Sequence, residues 1–210
     1  YIRVKNKITS FMIKKINKII IGTHNRGKFR EISHLISDKI KKYSPSELKI
    51  KSPKETGKTF EANAKLKAKY FFDKSKIISI SDDSGLEIEC LKNKPGIHSA
   101  RWAKWNGGFS KAMNKLIKIL NNKKDTKNRR ARFICSLSIQ LNEYKNLTVT
   151  GILKGKISEQ KIGNNGFGYD PIFIPLGSKI TFGQMPYLKK LKLDHRYIAF
   201  KKLKKRIKTL

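Results

Sequence analysis

Residues 18–32 read KIIIGTHNRGKFREI, and this stretch decides the expected class of fold. The isoleucines Ile19–Ile21 form a short apolar run that ends at Gly22, as in a buried strand. The next apolar residues follow at helical spacing and predict a helix that starts just after Gly27. A strand that turns directly into a helix is typical of α/β proteins.

Strands and helices interleave along the rest of the chain. Apolar stripes at helical spacing over 60–71 and 113–120 predict two further helices, and a last helix is predicted from Asp194. Strict alternation from 133 to 141, followed by β-rich sequence from 147 to 157, predicts a β-meander in the middle of the chain. The predicted fold is α/β, with a long mixed β-sheet and flanking helices.

Composition and length fit one globular domain, since the chain has 210 residues, of which 38% are hydrophobic. No repeat and no linker-like stretch divides it, so residues 18–210 are interpreted as a single bilobed domain. Residues 1–17 are expected to be an N-terminal extension that is poorly ordered at 1–11. No apolar run is long enough to span a bilayer, so no membrane association is expected.

The net charge is +34, from 49 Lys and Arg against 15 Asp and Glu. Such an excess is typical of proteins that bind nucleic acids or anionic membranes. The lysines are scattered over the whole length, however, and Ile and Asn are abundant too, which favours a general compositional bias over one binding face. A phosphate-rich substrate is attracted by this charge under either interpretation.

Cysteine usage indicates a reducing compartment. Cys90 and Cys135 both lie in runs that alternate between apolar and polar residues, and the chain has no C-x-x-C pair. They are predicted to be core residues of a cytoplasmic protein, without a disulfide or a zinc site.

The loop from Gly22 to Lys28 has the spacing G-x-x-x-x-G-K between a strand and a helix. A helix N-terminus offers unpaired amide hydrogens to a phosphate, Gly27 allows close approach, and Lys28 adds a positive charge. Phe29 stands where a P-loop needs Ser or Thr for magnesium, which disfavours a P-loop NTPase. Taken alone, the segment is equally compatible with a plain strand-to-helix turn.

The segment Ser81-Asp82-Asp83-Ser84-Gly85 is predicted to connect strands at 77–81 and 86–90. These residue types also form ordinary hairpin turns. Two adjacent carboxylates are unusual in a chain with only 15 acidic residues, and they favour a site for Mg²⁺, which takes hard oxygen ligands. Glu55, upstream, can supply a second carboxylate to the same ion.

Two later segments are candidates for recognition of a base. Glycines bracket aromatic residues in 163–171, which suits either a plain turn or a slot in which a ring stacks on a purine. Asp194 is a good N-cap for the last helix, and His195 and Arg196 follow it with hydrogen-bond donors. A His-Arg pair by itself is more often on a surface than in a site.

Five segments, taken in order, resemble the Ham1-like family of inosine/xanthosine triphosphate pyrophosphatases. They are THNRGKFREI at 23–32, ETGKTF at 55–60, SDDSGLEIECLKNKPGIHSARWA at 81–103, GFGYDPIF at 166–173 and DHR at 194–196. The resemblance implies two α/β lobes around a central cleft and a homodimer. It also implies a magnesium-dependent enzyme that cuts ITP, dITP and XTP between the α and β phosphates, which removes deaminated purines from the nucleotide pool.

The resemblance also implies site residues. Those implied to bind the substrate are Thr23, His24, Asn25, Arg26, Gly27, Lys28, Ser84, Phe167, Gly168, Tyr169, Asp170, Lys190, His195 and Arg196. Those in 23–28 are expected to bind the triphosphate, those in 167–170 to form the base pocket, and the last three to close it. Asp83 is the implied proton acceptor, and Glu55 and Asp83 are the implied ligands of Mg²⁺.

The chain departs from the family pattern where relatives usually carry carboxylates, at Ala62, Gln184 and Lys189. These changes bear on metal affinity and on the role of Lys190. Asp194 replaces the usual Ser and keeps the N-cap function. Two alternatives stay open: a pyrophosphatase of modified pyrimidine triphosphates, and a nucleic-acid-binding protein on this fold.

Overall fold

The computed structural model describes residues 16–122, 128–207 and 209–210. The segment 1–11, predicted to be poorly ordered, lies outside these residues. The last two residues of the predicted extension belong to the packed chain: Ile16 is buried in the core, and the carbonyl of Asn17 accepts a hydrogen bond from the backbone N–H of Lys41.

Helices and strands alternate as the sequence predicts for an α/β protein. In chain order they are β1 (Lys18–Ile21), α1 (Arg26–Leu35), β2 (Lys41–Tyr43), α2 (Phe60–Ser75), β3 (Ser79–Ile88), β4 (Lys94–Pro95), α3 (Ser99–Trp105), α4 (Phe109–Asn121), β5 (Arg130–Gln140), β6 (Asn146–Ile157), β7 (Phe173–Pro175), α5 (Tyr187–Leu191) and α6 (His195–Lys204). Within the described residues, no helix combines the length and the apolar character that a membrane crossing requires.

The strands form one mixed sheet in the order β2-β1-β3-β5-β6-β7, and β4 pairs with β3. β1 is parallel to β2 and to β3, whereas the other pairs are antiparallel. The consecutive strands β5, β6 and β7 are the predicted meander. The predicted mixed sheet with flanking helices is confirmed.

The expectation of two strands around a turn at residues 81–85 is wrong. A single strand, β3, runs through this segment, and β5 pairs with it from Ser79 opposite Gln140 to Ile88 opposite Ala131. This long antiparallel partner keeps the polar residues extended, although their types favour turns. Cys90 falls in a 3₁₀ turn after the strand.

The other edge of β3 is only partly covered. β1 pairs there with Ser79 and Ile80, and β4 with Glu87 and Ile88. In the described part of the chain, no strand pairs with this edge between those contacts. The hydroxyl of Ser99 accepts a hydrogen bond from the backbone N–H of Leu86 instead. The sheet therefore has a gap at its centre, beside the segment that carries the two aspartates.

Two hydrophobic cores lie on one face of the sheet, one on each side of this gap. Ile80 packs in the core that includes α1 and α6, while Leu86 and Ile88 pack in the core that includes α3 and α4. Asp82 and Ser84 alternate with these residues on the same face of β3 and separate the two cores. α2 covers the opposite face. The two cores correspond to the two predicted lobes, with polar side chains between them.

Candidate active site

A cleft opens at the gap beside β3 and brings together most of the predicted site residues. The predicted residues that line it are Asn25, Lys28, Glu55, Asp83, Ser84, Phe167, Gly168, Tyr169, Asp170, His195 and Arg196. Because the edge of β3 has no neighbouring strand here, the cleft reaches Asp83 on one face of the strand and Ser84 on the other. Segments that are far apart in sequence therefore share one cavity.

The N-terminus of α1 lies at this cleft. Asn25 caps the helix, because its Oδ1 accepts a hydrogen bond of 3.0 Å from the backbone N–H of Lys28, so the helix begins at Arg26, slightly earlier than predicted. The ammonium of Lys28 lies 3.1 Å from a carboxylate oxygen of Asp82. The positive end of the helix dipole and Lys28 together make this side of the cleft attractive to anions.

Other predicted residues of this loop do not line the cleft. His24 Nδ1 lies 2.7 Å from the hydroxyl of Ser52, and its exposed ring faces that neighbouring loop. The hydroxyl of Thr23 accepts a hydrogen bond from the backbone N–H of Asn25, and Arg26 is exposed. Contact between these three predicted residues and a triphosphate stays a prediction.

Gly27 is required by a neighbouring ring. A Cβ atom at this position would lie 2.5 Å from the ring of Phe167, far inside van der Waals contact. This contact is not evident from the sequence, and the approach of a phosphate to Gly27 stays a prediction. Because Gly27 has no side chain, the start of α1 can pack against the aromatic loop at 166–171.

Asp82, the first of the two adjacent carboxylates for which the sequence favours a magnesium site, is buried and contacts two cationic side chains instead. Its carboxylate lies 3.1 Å from Lys28 Nζ and 3.4 Å from Arg196 Nε, and it accepts a hydrogen bond of 2.9 Å from the hydroxyl of Ser84. Burial alone would raise the pKa of Asp82, but Lys28 and Arg196 outweigh burial and hold the pKa well below its usual range. Asp82 is thus a permanently ionised anchor for two cations.

Asp83 lies on the opposite face and contacts α2. Asn63 Nδ2 donates a hydrogen bond of 3.1 Å to Oδ2 of Asp83, and Lys67 Nζ lies 3.4 Å from its Oδ1. Burial raises the pKa of Asp83 although Lys67 and Lys28 oppose this effect. Asn63 and Lys67 were not predicted from the sequence, but their i, i+4 spacing on the otherwise apolar buried face of α2 is a signal for them.

Glu55 and Asp83 have the chemistry of a magnesium site. The ammonium of Lys67 contacts both, at 2.5 Å from Glu55 Oε1 and 3.4 Å from Asp83 Oδ1. In the described residues no cluster of three or more His, Cys, Asp or Glu side chains is preformed. Mg²⁺ in phosphate-processing sites needs only one or two carboxylates, with substrate oxygens and waters as its other ligands. Glu55 and Asp83 fit this requirement, because both offer carboxylate oxygens and both already contact the ammonium of Lys67.

Aromatic side chains line the other end of the cleft. The hydroxyl of Tyr169 donates a hydrogen bond of 2.9 Å to the carbonyl of Ser99, and the Phe109 ring meets the Tyr169 ring edge-on. His195 stacks on Phe133 at 4.8 Å between centroids. Burial, with help from Arg196, lowers the pKa of His195 well below its usual value, so its imidazole is neutral. Its Nδ1 has no hydrogen-bond partner within the described chain.

A buried ionic network lies behind the aromatic end of the cleft, and Glu31 is at its centre. Glu31 accepts hydrogen bonds from Lys190 at 2.7 Å and from Arg196 at 2.8 Å, and Lys190 also donates to Asp170 at 2.6 Å. Lys190 does not line the cleft, although it was expected from the sequence to close the base pocket. Its ammonium lies 4.7 Å from the centre of the Phe167 ring, behind the aromatic loop.

Some residues that line the cleft lie outside the predicted set. Arg101 on α3 and Phe109 at the start of α4 belong to these, and neither helix end was assigned a site role from the sequence. Arg101 adds another positive charge near Glu55, which it helps to keep ionised by lowering the pKa of that carboxyl together with Lys67.

Comparison with known proteins gives concordant matches. The sequence model of the Ham1 family matches residues 19–206. A dITP/XTP pyrophosphatase of Dictyoglomus thermophilum is 41% identical over 193 residues, which cover 89% of this chain and 92% of that protein. A dITP/XTP pyrophosphatase of Rhodospirillum centenum is 38% identical over 186 residues, which cover 88% and 92%.

Solved structures agree with the sequence matches. A HAM1 protein from Coxiella burnetii superposes with a TM-score of 0.83 at 30% identity, over 93% of this chain and 100% of that one. The Ham1 protein of Staphylococcus aureus superposes with a TM-score of 0.79 at 34% identity, over 91% and 98%. The fold, the cleft and these matches lead to one conclusion: the chain belongs to the Ham1 family.

Proposed function

We propose that the protein is a nucleoside-triphosphate pyrophosphohydrolase that converts ITP, dITP and XTP to the monophosphate and inorganic pyrophosphate. The relatives named above as dITP/XTP pyrophosphatases support this activity. The observation that carries the proposal is that Lys28, Asp83 and Phe167 line the same cleft. A cation for phosphates, a carboxylate base and a ring for the nucleobase are thus available to one ligand.

The triphosphate binds at the start of α1. Lys28 and Asn25 line the cleft there, and Arg101 faces it from α3. The unpaired backbone N–H groups of the helix N-terminus add donors that favour phosphate oxygens. Removal of Lys28 or of Arg101 weakens substrate binding and reduces stabilisation of the charge that develops on the phosphate oxygens.

Asp83 is the proton acceptor. Asn63 and Lys67 hold its carboxylate in a fixed orientation at the cleft. In the reaction, a water attacks the α-phosphorus, Asp83 takes its proton, and the bond to the bridging oxygen of pyrophosphate breaks. Glu55 and Asp83 would hold Mg²⁺, which would supply positive charge to neutralise the phosphate oxygens.

Base recognition combines stacking with a donor at the purine edge. The Phe167 ring supplies the stacking surface, and Tyr169 and Phe109 shape the slot. Two N–H groups of Arg196 already donate to Glu31 and Ser84, and its Nε, which makes no hydrogen bond within the described residues, lies 3.4 Å from the carboxylate of Asp82. Nδ1 of His195 has neither a hydrogen bond nor an ion pair there. His195 is therefore the donor to the 6-oxo group of hypoxanthine or xanthine.

Adenine is rejected because it presents an amino group where these bases present a carbonyl. A buried donor that is left unpaired costs about 1–3 kcal/mol. Replacement of His195 by Ala should reduce the preference for ITP over ATP by about tenfold, measured as the ratio of kcat/KM values. An unchanged ratio would reject this role for His195.

The decisive experiment is a panel of nucleotides assayed for pyrophosphate release with Mg²⁺ and with EDTA. ITP, dITP and XTP should be cleaved rapidly in the presence of Mg²⁺, and ATP slowly. Faster cleavage of dUTP or of methylated pyrimidine triphosphates would support the pyrimidine alternative. Salt-sensitive binding of duplex DNA or RNA without cleavage of ITP would support a nucleic-acid-binding protein.

We also propose that the enzyme works as a homodimer in the cytoplasm, as the family resemblance implies. Sedimentation equilibrium tests the dimer, because the chain mass is 24.2 kDa and a dimer has twice that mass. A monomer at micromolar concentration would contradict it.

A further inference from the structure

Lys67 joins the two carboxylates that are the proposed metal ligands. It lies on α2, and its side chain is almost completely buried. Its ammonium lies 2.5 Å from Glu55 Oε1 and 3.4 Å from Asp83 Oδ1. One positive charge thus lies where these two carboxylates converge.

We propose that Lys67 is an internal counter-ion that occupies the cation position of the metal-free protein and leaves it when a divalent cation binds. The inference rests on the proposed function only in taking Glu55 and Asp83 as the metal ligands. An ammonium and a divalent cation repel each other and cannot share the same pair of oxygens. The flexible four-carbon stem of lysine allows the ammonium to move without movement of α2.

Asn63 keeps the carboxylates in place during this exchange. Its Oδ1 accepts a hydrogen bond of 2.7 Å from the backbone N–H of Gly57, next to the Glu55 loop, and its Nδ2 donates to Asp83 at 3.1 Å. One fully buried amide therefore connects both ligand-bearing segments. Asn63 holds the Asp83 carboxylate and the backbone beside Glu55 without the help of Lys67, so loss of the ammonium leaves an open site with two negative charges.

Occupation of the site by Lys67 lowers its affinity for a free metal ion. Every ion that binds must displace an ammonium that the two carboxylates stabilise. A neutral side chain of similar length removes this competition and leaves the ligands. The variant should then bind a divalent cation more tightly than the native protein, because no ammonium competes for the two carboxylates.

Titration of Mn²⁺ into the nucleotide-free protein tests the proposal, with free Mn²⁺ followed by electron paramagnetic resonance. Lys67→Met should bind Mn²⁺ about tenfold more tightly than the native protein, or better. Lys69→Met is the matched control, since Lys69 lies on the same helix but pairs with Asp73 at the surface, and it should leave the affinity unchanged. Equal or weaker binding by Lys67→Met would overturn the proposal.

Glu55→Gln separates this inference from the proposed metal site. If Glu55→Gln weakens Mn²⁺ binding but Lys67→Met does not strengthen it, the metal ligands stand and the counter-ion role fails. If neither the native protein nor Lys67→Met binds Mn²⁺, the metal assignment and the inference fail together. Pyrophosphate release from ITP is measured separately and does not enter either comparison.

Thermal unfolding provides a second measurement that does not depend on a full titration. Without metal, Lys67→Met and Lys67→Gln remove the ammonium from the buried carboxylate of Asp83 and from the half-buried carboxylate of Glu55, and both variants should unfold at a lower temperature than the native protein. Saturating Mn²⁺ should raise the unfolding temperature of these variants more than that of the native protein. An equal rise in all three proteins would contradict displacement of Lys67.

Discussion

Asp82 and Asp83 are neighbours in the sequence, but their carboxylates lie on opposite faces of β3. Asp82 contacts Lys28 and Arg196 on the face of the two hydrophobic cores, whereas Asp83 contacts Lys67 on the face that α2 covers. This division follows from the alternation of side chains along a strand. The two carboxylates consequently have different contacts, and substitutions at the two positions should have different effects.

Asp83→Asn should abolish turnover and preserve the fold. The amide cannot accept the proton of the attacking water, so kcat for ITP should fall by about two orders of magnitude or more. Binding of a non-hydrolysable ITP analogue, measured by calorimetry, should persist. A variant that keeps more than a tenth of native kcat would exclude Asp83 as the proton acceptor.

Asp82→Asn should act mainly on stability. It removes the negative charge that pairs with Lys28 and Arg196 inside the protein. Breaking a buried ion pair from one side costs about 3 kcal/mol of the free energy of unfolding. Urea unfolding measures this loss, and the same experiment on Asp83→Asn is the matched control with a smaller loss. Equal losses in the two variants would contradict the division of functions.

Asp194 should make stability depend on pH. Burial and the nearby Glu31 raise the pKa of Asp194 to about 7, whereas an aspartate in the unfolded chain has a pKa of about 3.9. Between these values the folded protein holds a proton that the unfolded chain has released. The contribution of Asp194 to the free energy of unfolding is therefore fully present below about pH 4, and it is lost as the pH rises to about 7.

Asp194→Asn removes this dependence and retains the helix cap. The side-chain oxygen of Asp194 that accepts the hydrogen bond of 2.7 Å from the backbone N–H of Tyr197 has an equivalent in asparagine. We expect the variant to be more stable than the native protein by about 4 kcal/mol at pH 8 and equally stable near pH 4. Urea unfolding at both pH values measures the difference, and a difference independent of pH would disagree with the prediction.

Gly27→Ala should weaken substrate binding through Phe167. The added methyl group would lie 2.5 Å from the Phe167 ring, so the ring must move out of the base slot. Alanine itself favours a helix over glycine, so α1 remains formed. KM for ITP should rise about tenfold, in the range of a lost stacking contact between a base and an aromatic ring.

A double-substitution cycle identifies the cause of that effect. Phe167→Ala removes the ring, so the further change Gly27→Ala should then have almost no effect on KM. Tyr144, which is 94% exposed and does not line the cleft, provides a neutral control as Tyr144→Ala. Additive effects of Gly27→Ala and Phe167→Ala would show that Gly27 acts independently of the ring.

The sequence alone determined the class of fold, the order of most helices and strands, and the loops that line the cleft. These features depend on local patterns: apolar periodicity predicts strands and helices, and phosphate or base loops need particular residues within a few positions of one another. Lys28 and Asp83 each lie in such a short segment, so both are recognisable as candidates from their sequence neighbours.

The tertiary structure decided which side chains face the cleft and which support it. Glu31 pairs with Lys190 and Arg196 across 159 and 165 positions of the sequence, and no local pattern contains such a contact. Pairing with β5 decided that residues 81–85 continue a strand, and this placed Asp82 and Asp83 on opposite faces. Both outcomes depend on long-range packing, which residue types within one short segment do not specify.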